Sequence, residues 1–393
     1  MKKDIRILLL YASYGNGHLQ VSSSLQESFK QYGVSRVSMI DLFAEAYPQF
    51  NELTKFLYRK SFTLFPHIYG WLYYGTKKMQ HDSLISQWFH SFGLQKLEEI
   101  MAIEKPDLII STFPMLAIAE FKKRTGSKLP LYMVLTDYEL HNRWIHQEIN
   151  KFYVASKELK NQIVHSGIPQ NRVKVSGIPV KTAFINPSVE DSLHEIYGFS
   201  RSPEKETILI MAGAYGSLMQ VKNICNQLAA NEGLQLIIVC GSNNSLLKDM
   251  EKAFMNHPRV LLFGYYERIY ELMSLASLVI TKPGGITVSE AISLCKPMLL
   301  FRPVPGQERE NAKYLSEKGA ALISLNPIEL IEQIKMLLRN PSKLTGMRSN
   351  LQLLRKQNAS ETIVIDILDD LDARQLLQPE IREERRWTQE VIY

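Results

Sequence analysis

Cysteine is scarce in this chain of 393 residues: Cys225, Cys240 and Cys295 are the only three, and they lie far apart. An odd count without a close pair excludes a disulfide scaffold and a cysteine-held zinc site, and it suits a reducing cytoplasm. Long apolar runs are also missing. No stretch reaches the roughly 18 apolar residues that a bilayer-spanning helix needs, so the chain is expected to be soluble or bound at a membrane surface. The opening MKKDIRILLLYASYGNGH resembles a secretory signal only at first sight. Its apolar run is Ile7 to Leu10, Asp4 and Arg6 interrupt it, and no small-residue cleavage site follows, so it reads as a buried strand. None of the nine histidines pairs at a metal-ligand spacing, and no metal is expected. Charge is nearly balanced, 46 Lys and Arg against 40 Asp and Glu, and no nucleic-acid partner is expected.

The length exceeds what one hydrophobic core usually serves, which predicts two domains. Ile5 to Ala12 is an apolar run of strand length, and Ser13-Tyr14-Gly15-Asn16-Gly17-His18 is a glycine-bearing turn. Residues 19–32 then carry Val21, Leu25 and Phe29 at helical spacing. Strands are predicted at 36–40, 107–112, 131–136 and 151–155, separated by helical patterns. A second series opens with strand 207–212 running into Gly213-Ala214-Tyr215-Gly216. Strands 235–240, 260–265, 277–281 and 297–301 follow. This repeated alternation predicts an α/β architecture of two Rossmann-like domains facing a central cleft. The predicted divisions are 1–185, a polar proline-bearing linker 186–206, 207–358, and a C-terminal helix and tail 359–393 returning towards the first domain. Ligands of such sheets sit beyond the carboxyl ends of the strands, so both glycine turns are expected to point into the cleft.

One segment departs from the rhythm. Between Lys55 and Lys96, six basic residues meet the single acid Asp82, and eleven residues are aromatic. Cations meet anionic headgroups and rings settle at the acyl boundary, so Trp71, Lys77 and Lys78 are candidates for membrane contact. An aromatic helical hairpin packed on the sheet, with solvated bases, explains the composition equally well.

The sharpest signal is Thr281-Lys282-Pro283-Gly284-Gly285-Ile286-Thr287-Val288-Ser289-Glu290-Ala291, which joins a strand end, a turn and a helix start. Its glycines let backbone amides approach a ligand, and the new helix offers unpaired N–H groups to a phosphate. Glu290 lies one turn into that helix, placed to accept both hydroxyls of a ribose. Further on, Pro305-Gly306-Gln307-Glu308-Arg309-Glu310-Asn311 follows another strand. Gln307, Glu308 and Asn311 suit the rim of a pyranose; a solvated loop opening a helix is the plainer account. Asp370-Leu371-Asp372 lies in a helical pattern, where residues two apart do not share a face, so it is not a metal clamp.

With these residues in view, the sequence resembles glycosyltransferase family 28, a GT-B-fold group that includes monogalactosyldiacylglycerol synthases and diacylglycerol glucosyltransferases. The resemblance is carried by Gly15-Asn16-Gly17-His18, by Thr136-Asp137-Tyr138-Glu139-Leu140-His141-Asn142-Arg143-Trp144, and by Val154-Ala155-Ser156. Gly177-Ile178-Pro179-Val180, Thr281 to Gly285 and Pro305 to Glu308 complete it. The Asp137–His141–Trp144 spacing and the aromatic insert match the glycerolipid branch. The resemblance implies inverting hexose transfer from a UDP-sugar without an essential metal or other cofactor. It makes Glu290 the ribose ligand, sets Gly213, Gly216, Gly284, Gly285 and Thr287 along the diphosphate, and gives the uracil edge to Gly264 and Tyr265. Gln307 and Glu308, with Asn311 beside them, would hold the hexose; Gly17 falls on the acceptor side, and His141 and Trp144 are acceptor-groove or structural residues rather than catalysts. Two departures stand out: Ala214 and Tyr215 interrupt a turn that is denser in glycine in relatives, and Asn16 stands where many have glycine.

An inverting transfer needs the acceptor hydroxyl deprotonated as it attacks C1 of the sugar. His18 is the first candidate base. Asp137, at the end of strand 131–136, is the second; it could equally orient His18 or cap a following helix. The expected partners are a UDP-hexose (glucose or galactose), diacylglycerol or a related lipid, and an anionic membrane surface. The expected location is the cytoplasm, peripherally on the inner face of the cell membrane. A UDP-sugar 2-epimerase shares the fold and the diphosphate chemistry but has no use for the aromatic basic insert. A non-catalytic UDP-sugar sensor would have no need of His18 and Asp137.

Overall fold

A computed structural model describes residues 5–13, 15–46, 70, 73–75, 93–185, 190–198, 205–213 and 218–377. In the first half, β1 (Arg6–Tyr11), β2 (Arg36–Asp41), β3 (Leu108–Ser111), β4 (Leu131–Val134), β5 (Lys151–Val154) and β6 (Val173–Val175) form one sheet. Its order is β2-β1-β3-β4-β5-β6 and every pairing is parallel. β3 and β4 are buried at every position, because helices cover both faces of a parallel sheet; this is why they read as unbroken apolar runs. The second half builds an equivalent sheet from β7 (Glu206–Met211), β8 (Leu234–Val239), β9 (Val260–Phe263), β10 (Leu278–Thr281), β11 (Met298–Phe301) and β12 (Ala321–Ser324). Its order, β12-β11-β10-β7-β8-β9, is the doubly wound order of a dinucleotide-binding sheet.

Each order reverses at one place, and there the loops leaving adjacent strands diverge to open a crevice. In the first sheet the reversal lies between β1 and β3, and in the second between β7 and β10. The glycine turns predicted to bind ligand leave β1, β7 and β10, so the topology alone brings them to these two crevices. The helix Asn16–Gln31 follows β1 and buries Val21, Leu25 and Phe29 together with Ser22, Ser24 and Ser28.

Several boundaries differ from expectation. The strand expected at 131–136 stops at Val134, which leaves Asp137 in a loop. The strand expected at 260–265 stops at Phe263, so Gly264 and Tyr265 lie in the turn after it. Within 186–206 there is a helix, Glu190–Tyr197. The Tyr197 hydroxyl donates to Glu271 at 2.6 Å and its ring meets Phe263 edge-on at 6.0 Å, tying that helix to the second domain. The returning C-terminal helix spans Ala359–Leu377 and buries Ile363, Val364, Ile367, Leu368 and Leu371 in the core that the first sheet dominates. Among the described residues, no helix is long and apolar enough to cross a membrane.

Candidate active site

His18 is the third residue of the helix Asn16–Gln31, and its Nδ1 lies 2.6 Å from the carbonyl of Thr112, just past β3. A carbonyl only accepts, so Nδ1 carries the proton and Nε2 presents a lone pair. The Thr136 hydroxyl lies 3.4 Å from Nδ1, and Phe113 meets the ring edge-on at 5.1 Å. Burial pushes the imidazole pKa down to about 4, against the opposing pull of the Thr112 hydrogen bond and the Asp41 charge. The ring is therefore neutral at pH 7. Asp41, closing β2, accepts from the Ser13 amide at 2.9 Å, from the Ser13 hydroxyl, and from the Ala44 amide at 3.1 Å. It braces the turn that delivers His18, a role that a lone aspartate at a strand end does not announce.

On the facing domain, Gly284 precedes the helix Gly285–Ser293, and open space lies where a Cβ on Gly284 or Gly213 would stand. Thr287 is half-exposed in the first turn and Glu290 is buried one turn on. Burial raises the Glu290 carboxyl to about 8, with Lys181 opposing. Lys282, just past β10, turns towards the loop after β11: its Nζ donates to the Arg302 carbonyl at 3.1 Å and lies 3.9 Å from Glu308. Burial lowers its pKa, with Glu308 opposing. Glu308 also accepts from the Val304 amide at 3.0 Å, so in this arrangement it braces its own loop. A Cβ on Gly264 would stand 3.2 Å from Leu247, while Tyr265 is 71% exposed. Gly216, Trp71, Lys77 and Lys78 lie outside the described residues.

The two halves meet through Asp137 and Tyr138. Asp137 is buried and accepts from the Gln307 side-chain amide and from Asn311 Nδ2 at 3.1 Å. Burial raises its pKa, and these two amides partly offset the rise. Asn311 also gives a hydrogen to the Pro283 carbonyl at 3.1 Å and accepts the Tyr138 amide at 2.9 Å. Its amide hydrogens and its oxygen are thereby engaged in a fully buried position in this arrangement. Tyr138 completes the seam, with its hydroxyl 2.9 Å from Ser289 Oγ and its ring stacked on Tyr314 at 5.0 Å. A Cβ on Gly17 would lie 3.0 Å from Ile286, and one on Gly285 would lie 1.9 Å from the Thr136 carbonyl oxygen. The turn bearing His18 and the start of the Gly285 helix therefore face one another at close range.

Trp144 and His141, read from the sequence as acceptor-groove or structural residues, both make structural contacts here. Trp144 is buried in the first-domain core and offers no groove surface. His141 is also buried, and its Nδ1 caps the short turn Asn142–Trp144 by accepting the Arg143 amide at 3.2 Å. No α-helix follows Asp137 directly, so its predicted capping role does not arise. Tyr138 and Lys282 stood in the sequence only as members of longer motifs, and Thr112 was not singled out at all; strand order is what brings Thr112 to His18.

Two parallel sheets opposed at their reversal points define the GT-B architecture. MurG of Acinetobacter baumannii shares this architecture with a TM-score of 0.60 at 17% identity, over 93% of this chain and 100% of that one. A UDP-GlcNAc 2-epimerase from Neisseria meningitidis, solved with UDP-GlcNAc, does so with a TM-score of 0.62 at 17% identity, over 93% and 100%. The family model for monogalactosyldiacylglycerol (MGDG) synthase matches residues 18–180, and that for the glycosyltransferase family 28 C-terminal domain matches residues 207–363. A processive diacylglycerol beta-glucosyltransferase of Bacillus cytotoxicus is 40% identical over 375 residues, 95% of this chain and 96% of its own. The protein of that name from Bacillus thuringiensis is 39% identical over 374 residues, 94% and 95% of the two chains. The chain belongs to glycosyltransferase family 28, in its glycerolipid branch.

Proposed function

We propose that the chain transfers glucose from UDP-glucose to diacylglycerol with inversion at C1, working at the inner face of the cell membrane. The names of the relatives support glucose and a β-linked product, and a β-linkage built from an α-linked donor requires inversion. The observation that carries the reading is the neutral His18, its lone pair held on Nε2, on a turn that faces the start of the Gly285 helix. Nε2 takes the proton of the acceptor hydroxyl as that oxygen bonds to C1. The C1–O bond to the diphosphate breaks and its electron pair leaves with UDP. The helix N-terminus at Gly284 and Gly285, together with Lys282, meets the charge that develops there. Charge on the bound diphosphate also raises the basicity of His18 as the reaction needs it. Asp137 is spent on Gln307 and Asn311 and serves as a cross-cleft clamp. The epimerase alternative has support from fold likeness alone.

The test is incubation with UDP-glucose or UDP-galactose, with and without diacylglycerol in anionic vesicles, following UDP release and lipid products. Diacylglycerol-dependent UDP release with a β-glucosyl lipid is expected. His18→Ala should slow transfer by about 10²- to 10⁴-fold while leaving UDP affinity unchanged. Undiminished transfer by His18→Ala overturns the assignment of the base, and a galactolipid product overturns the donor.

A further inference from the structure

Gly70, Tyr73 and Tyr74, in the aromatic insert, touch both sides of the cleft. A Cβ on Gly70 would stand 2.6 Å from Pro305 Cβ, so the backbone here lies directly against the loop that opens the helix Gln307–Glu317. The Tyr74 hydroxyl donates to Glu310 Oε1 at 2.7 Å, four residues past Gly306. Gly306 has φ 101°, a conformation that favours glycine, and it sets the direction in which Gln307 enters the helix. The neighbouring Tyr73 ring meets His141 at 5.0 Å, on the first-domain loop that carries Asp137. Two consecutive tyrosines thus join the acceptor-side loop to the loop presenting Gln307.

We propose that Tyr74 is a positioning residue for the donor sugar. Through Glu310 it holds the first turn of the Gln307 helix in register, while Tyr73 ties the same stretch to the His141 loop. The inference rests on the reading of 305–310 as the hexose loop. It makes capture of the hexose depend on the insert, although no residue of the insert needs to touch the sugar. Tyr74 itself is 37% exposed, so Tyr74→Phe removes a hydroxyl without opening a cavity in the core.

The experiment uses the full chain with diacylglycerol in anionic vesicles and compares Tyr74→Phe, Glu310→Ala and the double variant. Each single variant is expected to raise the KM for UDP-glucose about three- to ten-fold, the scale of one net hydrogen bond. The double variant should be no worse than the worse single one. Binding of UDP, which lacks the hexose, should be unchanged in all three. Additive effects, an equal loss of UDP affinity, or an unchanged KM for UDP-glucose overturns the proposal. Gln307→Ala separates this from the underlying reading. A raised KM in Gln307→Ala with none in Tyr74→Phe rejects the positioning role and keeps the hexose loop. The reverse pattern supports the Tyr74 contact and rejects the placing of the sugar at Gln307.

Discussion

His18 owes its chemistry to where one residue sits. An unperturbed imidazole titrates near 6.5, and burial beside Thr112 and Phe113 brings this one down to about 4. The sign follows from linkage. Between those two values the unfolded chain binds a proton that the folded one refuses, so this residue subtracts stability as pH falls through that window and contributes nothing above it. Folding thus carries an acid penalty that keeps a neutral imidazole in the cleft. The prediction is direct. In the free enzyme, ¹⁵N-histidine spectra assigned with a His18→Gln variant should show the Nδ1–H tautomer of His18, neutral down to pH 5 and titrating near 4. A midpoint between pH 6 and 7, or the Nε2–H tautomer, would remove both the burial argument and the poised lone pair.

At the level of elements, the C-terminal helix Ala359–Leu377 is tied to the first sheet by charge as well as by its apolar face. Asp366 meets Lys151 at 2.6 Å, Lys174 at 2.7 Å and the Tyr153 hydroxyl at 2.8 Å. Asp370 accepts from the Tyr132 hydroxyl and from Arg374 at 3.0 Å. Burial alone would raise the Asp366 pKa, but the hydrogen bonds from Lys151, Lys174 and Tyr153 together hold it below the usual carboxylate value. Its contribution is therefore complete above that usual value and is lost only as pH falls through the lower folded one. Asp366→Asn should cost about 1–3 kcal/mol, the scale of hydrogen bonds to a charged group. Asp369→Asn, on an exposed position of the same helix, is the control and should change the denaturation midpoint little. Equal midpoints for the two variants would mean that the apolar face alone holds the strap. This helix was legible in the sequence because its apolar spacing is local. The helix Glu190–Tyr197 was not, because acids and flanking prolines make that stretch look like a linker. β6, an edge strand of three residues, is too short to leave a run, and the four-residue edge strand β12 was also missed.

Across the whole molecule, the site is legible as motifs and illegible as contacts. The glycine turns, His18, Asp137 and Gln307 each stand out locally. Their pairing does not, because 94 residues separate His18 from Thr112 and 170 separate Asp137 from Gln307, and only strand order closes those distances. Gly285 lies directly against Thr136 where the two domains meet, on the side of the cleft that His18 and the Gly285 helix share. A Cβ at Gly285 would stand 1.9 Å from a backbone oxygen and 2.8 Å from Asp137 Oδ1, so the domains themselves must part to admit it. The facing contact at Gly17 is different: its neighbour, 3.0 Å away, is the Ile286 side chain, which can rotate. Gly285→Ala should therefore cut kcat by about 10²-fold, the usual penalty for misplacing reacting groups by an ångström. It should also speed hydrogen exchange at the Tyr138 amide, which now donates to Asn311 across the seam. Gly17→Ala should stay within a few-fold of the parent and leave that amide protected. If both variants turn over alike, catalysis proceeds with the domains further apart, and the Asp137 clamp belongs to a resting arrangement rather than to the working one.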